Sequence, residues 1–201
     1  MTEVTSVKID DSALVIRSQQ GDSSAMESLI LRYQDRIYNV ILKMCSNSHD
    51  ALELTQETFV KVIENIDRFE QRSSFYTWVF RIAVNLTLNY CKKRVKLGFR
   101  SLDSQADAVG GHEDLILKDA LFNKKAVDPE VMAQCHELQS LILGAIMKLD
   151  EDHRAVIVLR DIEGMDYGSI ATVLEIELGT VKSRISRARA NLRDILKAVV
   201  Q

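Results

Sequence analysis

The 201-residue chain has one proline and eight glycines, too few to punctuate the many short strands of a β-sandwich or barrel. Its three cysteines, Cys45, Cys91 and Cys135, are an odd set with neither metal-ligand nor redox spacing. That excludes a disulfide scaffold and assigns the thiols to packing in a reducing compartment. His136 beside Cys135 does not complete a metal site, because neighbours on a helix point apart and no second pair accompanies them. No apolar run reaches membrane length and no secretory leader is evident, so the expectation is a cytoplasmic protein without membrane insertion. Also missing are a glycine-rich phosphate loop, paired catalytic acids, and a serine or cysteine nucleophile in a recognisable setting. The expectation is therefore a non-enzyme, with no catalytic residues, cofactor, metal or small-molecule substrate.

Acids are missing locally. The formal net charge is −3, yet no Asp or Glu occurs between Glu70 and Asp103, where Arg72, Arg81, Lys92, Lys93, Arg94, Lys96 and Arg100 fall. None occurs from Leu178 to Arg193 either, where Lys182, Arg184, Arg187 and Arg189 fall. Two basic stretches in an acidic whole indicate directed contact with an anionic partner, not general stickiness.

What is present is helical periodicity. Asp166 can cap a short helix over Tyr167–Leu174; Glu175, Ile176 and Glu177 make a tight connection. A second helix starts near Leu178–Thr180, with Val181, Ile185, Ala188, Leu192 and Ile195 as one apolar stripe. Its other face carries Lys182, Ser183, Arg184, Ser186, Arg187 and Arg189. This is a helix-turn-helix pattern with a cationic outer face, suited to phosphates and guanine edges.

Upstream, Asp10–Asp11 opens a short helix that Gly21 ends, and Ser24 with Glu27 reads as a capping box. A long helix follows on Met26, Leu29, Ile30, Tyr33, Ile37, Val40, Ile41 and Met44, broken at Ser46–Ser48. The next, about Asp50–Ile66, turns Leu54, Thr58, Val62 and Ile66 inward with Phe59 and Ile63 alongside. Its other face is a mostly anionic row of Asp50, Glu53, Gln56, Glu57 and Glu64. A polar, aromatic stretch Phe69–Thr77 leads into a helix at Trp78. There Val79, Ile82, Ala83, Leu86 and Tyr90 face inward, while Arg81, Asn85, Asn89, Lys92 and Lys93 form a polar stripe fit for bases and phosphates. Phe75 and Tyr76 are candidates to stack on unpaired bases, and Trp78 reads as a core anchor. From Gly98 to Val127 the pattern dissolves into an acidic, glycine-containing linker, with a helical piece around Glu113–Phe122. Asp128–Pro129 starts a helix, Asp150 caps the next, and Gly164 ends it. The fold class is thus all-α: two small helical domains, 1–97 and 128–201, joined by a flexible linker over 98–127, the second domain a helix-turn-helix.

Four stretches in this order, DALELTQETFVKVIENI, RSSFYTWVFRIAVNLTLNYCKKR, LDEDHRAVIVLRDIEGMDYGSIA and GTVKSRISRARANL, resemble bacterial RNA polymerase sigma factors of the sigma-70 family, extracytoplasmic-function group. The resemblance covers nearly the whole chain. It implies that Asp50, Glu53, Gln56 and Glu57 dock on the clamp helices of the polymerase largest subunit. The second domain would sit at the flap of the second subunit. It implies −10 element capture and opening by Arg72, Ser73, Ser74, Phe75, Tyr76, Arg81, Asn85, Asn89, Lys92 and Lys93. Reading of the −35 element falls to Thr180, Lys182, Ser183, Arg184, Ser186, Arg187 and Arg189. A cognate anti-sigma factor would hold the protein inactive, released in a stress response. Gln71 and Arg72 stand where the family often has a glycine and then an acid, which bears on loop shape and −10 preference. Asp150 replaces a common proline and Glu175 a common glycine. The competing reading is a dimeric helix-turn-helix regulator that binds a palindrome without polymerase.

Overall fold

The architecture follows from where the chain can satisfy helix ends. In a computed structural model describing residues 10–96, 138 and 140–200, all regular structure is helical. Met1–Ile9, the linker over 98–127, the piece at Glu113–Phe122, the start at Asp128–Pro129, Cys135 and His136 lie outside the described residues.

Helix α1 (Asp11–Gln19) stops before Gly21, whose φ is +86°. Helix α2 (Ser23–Cys45) is capped by Asp22, not by the expected Ser24–Glu27 box. The Asp22 carboxylate accepts from the Ser24 and Ala25 amides at 3.0 and 3.2 Å, and from the Ser24 hydroxyl at 2.8 Å. Ser24 thus spends its hydroxyl on the cap. That bond, with Arg17 and the Ala25 amide, holds the Asp22 carboxyl down at about 2.

Helix α3 (Ser48–Asn65) begins two residues before the expected Asp50, because the Asn47 side chain accepts from the Asp50 amide at 2.9 Å. It runs into a short 3-10 turn, Ile66–Arg68. Its buried stripe holds Leu54, Thr58 and Val62 as expected, but Ile63 is 51% exposed. Helix α4 (Phe75–Lys96) starts three residues before the expected Trp78, because the Ser74 hydroxyl accepts from the Thr77 amide at 3.1 Å.

In the second half, residues 140–147 form α5. Helix α6 (Glu151–Ile157) is capped by Asp150, which accepts from the His153 amide at 2.9 Å, and continues into a π-turn at Val158–Ile162. The helix-turn-helix is α7 (Tyr167–Leu174) and α8 (Leu178–Val200). The two halves share one apolar core: α4 lies against α7 and α6, and α2 against the π-turn. Among the described residues no helix is long and apolar enough to cross a membrane.

Glu175 ends α7 in the left-handed region at φ 55°, ψ 43°. A side chain there costs about 1–2 kcal/mol, while glycine loses about 0.5–1 kcal/mol more in backbone entropy on folding. The Glu175 carboxylate sits 3.9 Å from Arg81 on an open surface and contributes little. Glu175→Gly should therefore raise unfolding stability by about 0.5–1 kcal/mol in a urea titration; no gain would reject the strain at this turn.

Candidate nucleic-acid interface

The helix-turn-helix is built from its caps. Asp166 accepts from the Ser169 amide at 3.0 Å and the Ser169 hydroxyl at 2.5 Å, which lowers its carboxyl pKa. Ile170 and Val173 of α7 are buried, as are Val181, Ile185 and Ala188 of α8. That packing turns Lys182, Ser183, Ser186 and Arg187 outward as an exposed row, with Thr180 half-buried at its start. Arg184 and Arg189 are otherwise engaged. Arg184 pairs with Asp152 at 3.2 Å, and Arg189 grips Asp161 through two bonds at 3.1 and 2.5 Å. The hydrogen bond to Asp161 raises the Arg189 pKa further.

The aromatic stretch before α4 is packed more deeply than its sequence suggests. Phe75 is 4% exposed, its ring 5.5 Å from Tyr33, 6.1 Å from Phe69 and 5.8 Å from Trp78. Tyr76 donates its hydroxyl to Glu163 at 3.1 Å, packs 4.5 Å from Phe80, and lies under the Arg36 guanidinium. Neither ring is free to stack on a base in this arrangement; both fill the seam between α2 and α4. Trp78 is a core anchor, as its neighbours suggested. Arg72 is fully out, paired with Glu70 at 2.6 Å, beside Ser73 and Ser74.

The polar stripe of α4 looks toward the second half. Arg81 is 3.9 Å from Glu175 and Lys92 is 3.7 Å from Asp152, while Asn89 and Lys93 are exposed and Asn85 is half-buried. Inward, Val79 and Ala83 are buried, but Ile82, Leu86 and Tyr90 are only half so; Phe80, Val84 and Thr87 complete the buried face.

On α3, Asp50 leaves the expected anionic row. It is turned to α4 and pairs with Arg94 at 2.9 Å, because the cap at Asn47 brings the first turn against that helix. Glu53, Gln56 and Glu57 are exposed. Between them stand Leu52, Val60 and Ile63, each just over half exposed. This apolar component was missed because helical spacing put Ile63 inward; the signal was that Leu52 and Val60 fall outside the buried stripe. Burial pushes the Cys45 and Cys91 thiols up to about 12 and about 11, so both are inert packing groups.

Two anchors hold the halves together. The Arg154 guanidinium donates to the Met44 carbonyl at 2.6 Å, and to those of Met147 and Leu149 at 2.7 and 2.9 Å. Glu163, almost wholly enclosed, takes an ion pair from Arg36 and the Tyr76 hydroxyl.

The family model described as Sigma-70 region 2 matches residues 29–96, and Sigma-70, region 4 matches residues 139–192. The ECF RNA polymerase sigma-E factor of Escherichia coli strain K12 is 35% identical over 196 residues, 98% of this chain and 99% of that protein. Two solved structures share the fold. One is CnrH in complex with the cytosolic domain of CnrY, at TM-score 0.64 and 24% identity, covering 94% of this chain and 97% of that one. The other is the sigma factor RpoE with the anti-sigma factor NepR from Bartonella quintana, at TM-score 0.58 and 24% identity, covering 85% and 96%. Similarity that runs through both halves does not favour a stand-alone regulator built on the helix-turn-helix.

The seam between the halves is testable without any partner. Glu163→Lys sets a cation against Arg36 and should expand the free chain in small-angle X-ray scattering, with helix content by circular dichroism unchanged. An unaltered radius of gyration would contradict the role given to this contact.

Proposed function

This chain belongs to the extracytoplasmic-function group of sigma-70-type RNA polymerase sigma factors, and we propose how its surfaces divide the work of an alternative sigma factor. It acts in the cytoplasm as a non-catalytic initiation factor, binding core polymerase and directing it to promoters. The observation that carries the reading is that each half presents one cationic helix, α4 and α8, in a chain of net charge −3.

The α8 row of Thr180, Lys182, Ser183, Ser186 and Arg187 enters the major groove of the −35 element, the serines and arginine reading edges and the lysine a phosphate. Arg184 and Arg189 join it once Asp152 and Asp161 release them. The −10 element falls to Arg72, Ser73 and Ser74 with Arg81, Asn85, Asn89, Lys92 and Lys93. A base leaving the stack costs a few kcal/mol, which the loop offsets by holding it. Phe75 and Tyr76 support that loop from beneath. Core polymerase docks through Glu53, Gln56 and Glu57 together with Leu52, Val60 and Ile63; a mixed apolar and anionic face suits a clamp helix better than a wet surface would. Asp50 braces this face through Arg94. The second half meets the polymerase flap, and an anti-sigma factor restrains the protein until a stress signal arrives.

Engaging two spaced elements requires the halves to part, since Glu175 and Asp152 occupy the cations of α4 that phosphates would take. Promoter phosphates therefore compete with carboxylates of the same molecule.

Charge reversal at the exposed Arg187 should cut run-off transcription from a −35-dependent promoter by at least about tenfold, the loss of one arginine contact. Affinity for core polymerase should stay as it was; unchanged promoter use would overturn the assignment of α8. Glu57→Lys should weaken core affinity about tenfold with the helical spectrum intact, as for a charge lost at an interface. An undiminished pull-down would reject the α3 face.

A further inference from the structure

Gln19 lies in the last turn of α1, before the stretch matched as Sigma-70 region 2, yet its side chain reaches across the fold. Its amide nitrogen donates to the Ile66 and Phe69 carbonyls, both at 2.9 Å, spending its two protons on two acceptors 47 and 50 residues away. Ile66 caps the C-terminus of α3, its carbonyl also accepting from the Phe69 amide at 3.0 Å, and Phe69 begins the arch into α4. Beyond it the Phe69 ring stacks on Trp78 at 4.7 Å and meets Phe75 edge-on. At the far end the Ser74 hydroxyl caps α4. Residues 70–73 are therefore a short exposed arch pinned at both feet, by Gln19 at one and Ser74 at the other. Its middle contains Gln71 in the left-handed region at φ 55°. An arch of that conformation has no helical or strand pairing of its own, so its shape depends on its feet.

We propose that Gln19 is a positioning residue for promoter opening: it fixes the arch that receives a base displaced from the −10 element. This rests on the reading of Arg72–Ser74 as that loop. The amide suits the task because one rigid planar group spans both carbonyls, which no shorter or singly donating side chain does. A receiving loop fixed in advance does not lose binding energy to ordering itself. Gln19 touches no DNA; it acts through the backbone of Phe69.

The experiment uses the full chain with core polymerase and compares a duplex promoter with the same promoter already unpaired across the −10 element. Gln19→Met keeps the volume and removes both donors; Gln19→Glu keeps the shape and sets a carboxylate against two carbonyls. Open-complex formation on the duplex should fall at least about tenfold with either variant, given how steeply misplacement costs rate. On the unpaired template the loss should shrink to within about twofold, because the cost of unstacking is already met. Core affinity should be unchanged. Equal loss on both templates would reduce Gln19 to a structural part, and no loss on the duplex would overturn the proposal. Arg72→Ala and Ser73→Ala run alongside: a duplex-specific defect in these but not in the Gln19 variants sinks the positioning role alone. No such defect in any of them sinks the loop reading as well.

Discussion

A helix leaves its last carbonyls without partners, and two helices that end against each other leave twice as many. Arg154 resolves this for α2 and α5 together: one guanidinium serves Met44 from the first half and Met147 and Leu149 from the second. A cation at two negative helix ends is favourable for both dipoles. Burial lowers the Arg154 pKa, but a guanidinium stays charged, so the carbonyls are what make its burial tolerable. The closed placement of the halves depends on this contact. Arg154 reaches Met44 and Met147 together only if α5 and α6 come back onto the end of α2, and that return lays the helix-turn-helix along α4.

The fold was legible in the sequence where a rule is local. Asp150 and Asp166 cap helices by accepting from the amide three residues on, and Gly21 and Gly164 take the positive φ their positions require. The apolar stripe of α8, Val181, Ile185 and Ala188, is buried as its spacing demands. The errors are of one kind. At Ser24, Asp50 and Trp78 a neighbouring polar side chain, Asp22, Asn47 or Ser74, supplied a cap that periodicity does not see, and each boundary moved by two or three residues.

The candidate site was legible only as composition. Spacing tells which face of α4 or α8 is cationic, and it places Lys182, Ser183, Ser186 and Arg187 outward correctly. It cannot tell whether a cation faces water or an acid from elsewhere in the chain, because Asp152, Asp161 and Glu175 reach Arg184, Arg189 and Arg81 through tertiary structure alone. Aromatics raise the same ambiguity: Phe75 and Tyr76 beside a basic helix look like stacking platforms until Tyr33, Phe69 and Glu163 are found against them. The apolar part of the α3 face escaped for the opposite reason, since spacing sets the exposed Ile63 beside the buried stripe, while Leu52 and Val60 fall outside that stripe as single hydrophobes.

The ambiguity of the cations has a physical root that bears on how such a chain works. A phosphate and a carboxylate ask the same thing of an arginine, so a surface made for DNA is also a surface that an acidic helix end can occupy. The exposed pairs Arg81–Glu175 and Lys92–Asp152 are long, 3.9 and 3.7 Å, and each contributes little by itself. Weak pairs yield readily to a polyanion, whereas Arg154 and the enclosed Glu163 do not depend on screening to the same degree. Closure thus rests on a few buried polar anchors, and the α4 cations proposed to meet DNA are only loosely engaged by it. The weak pairs can therefore exchange an internal carboxylate for a phosphate at little cost, whereas parting of the halves has to release Arg154 and Glu163 as well.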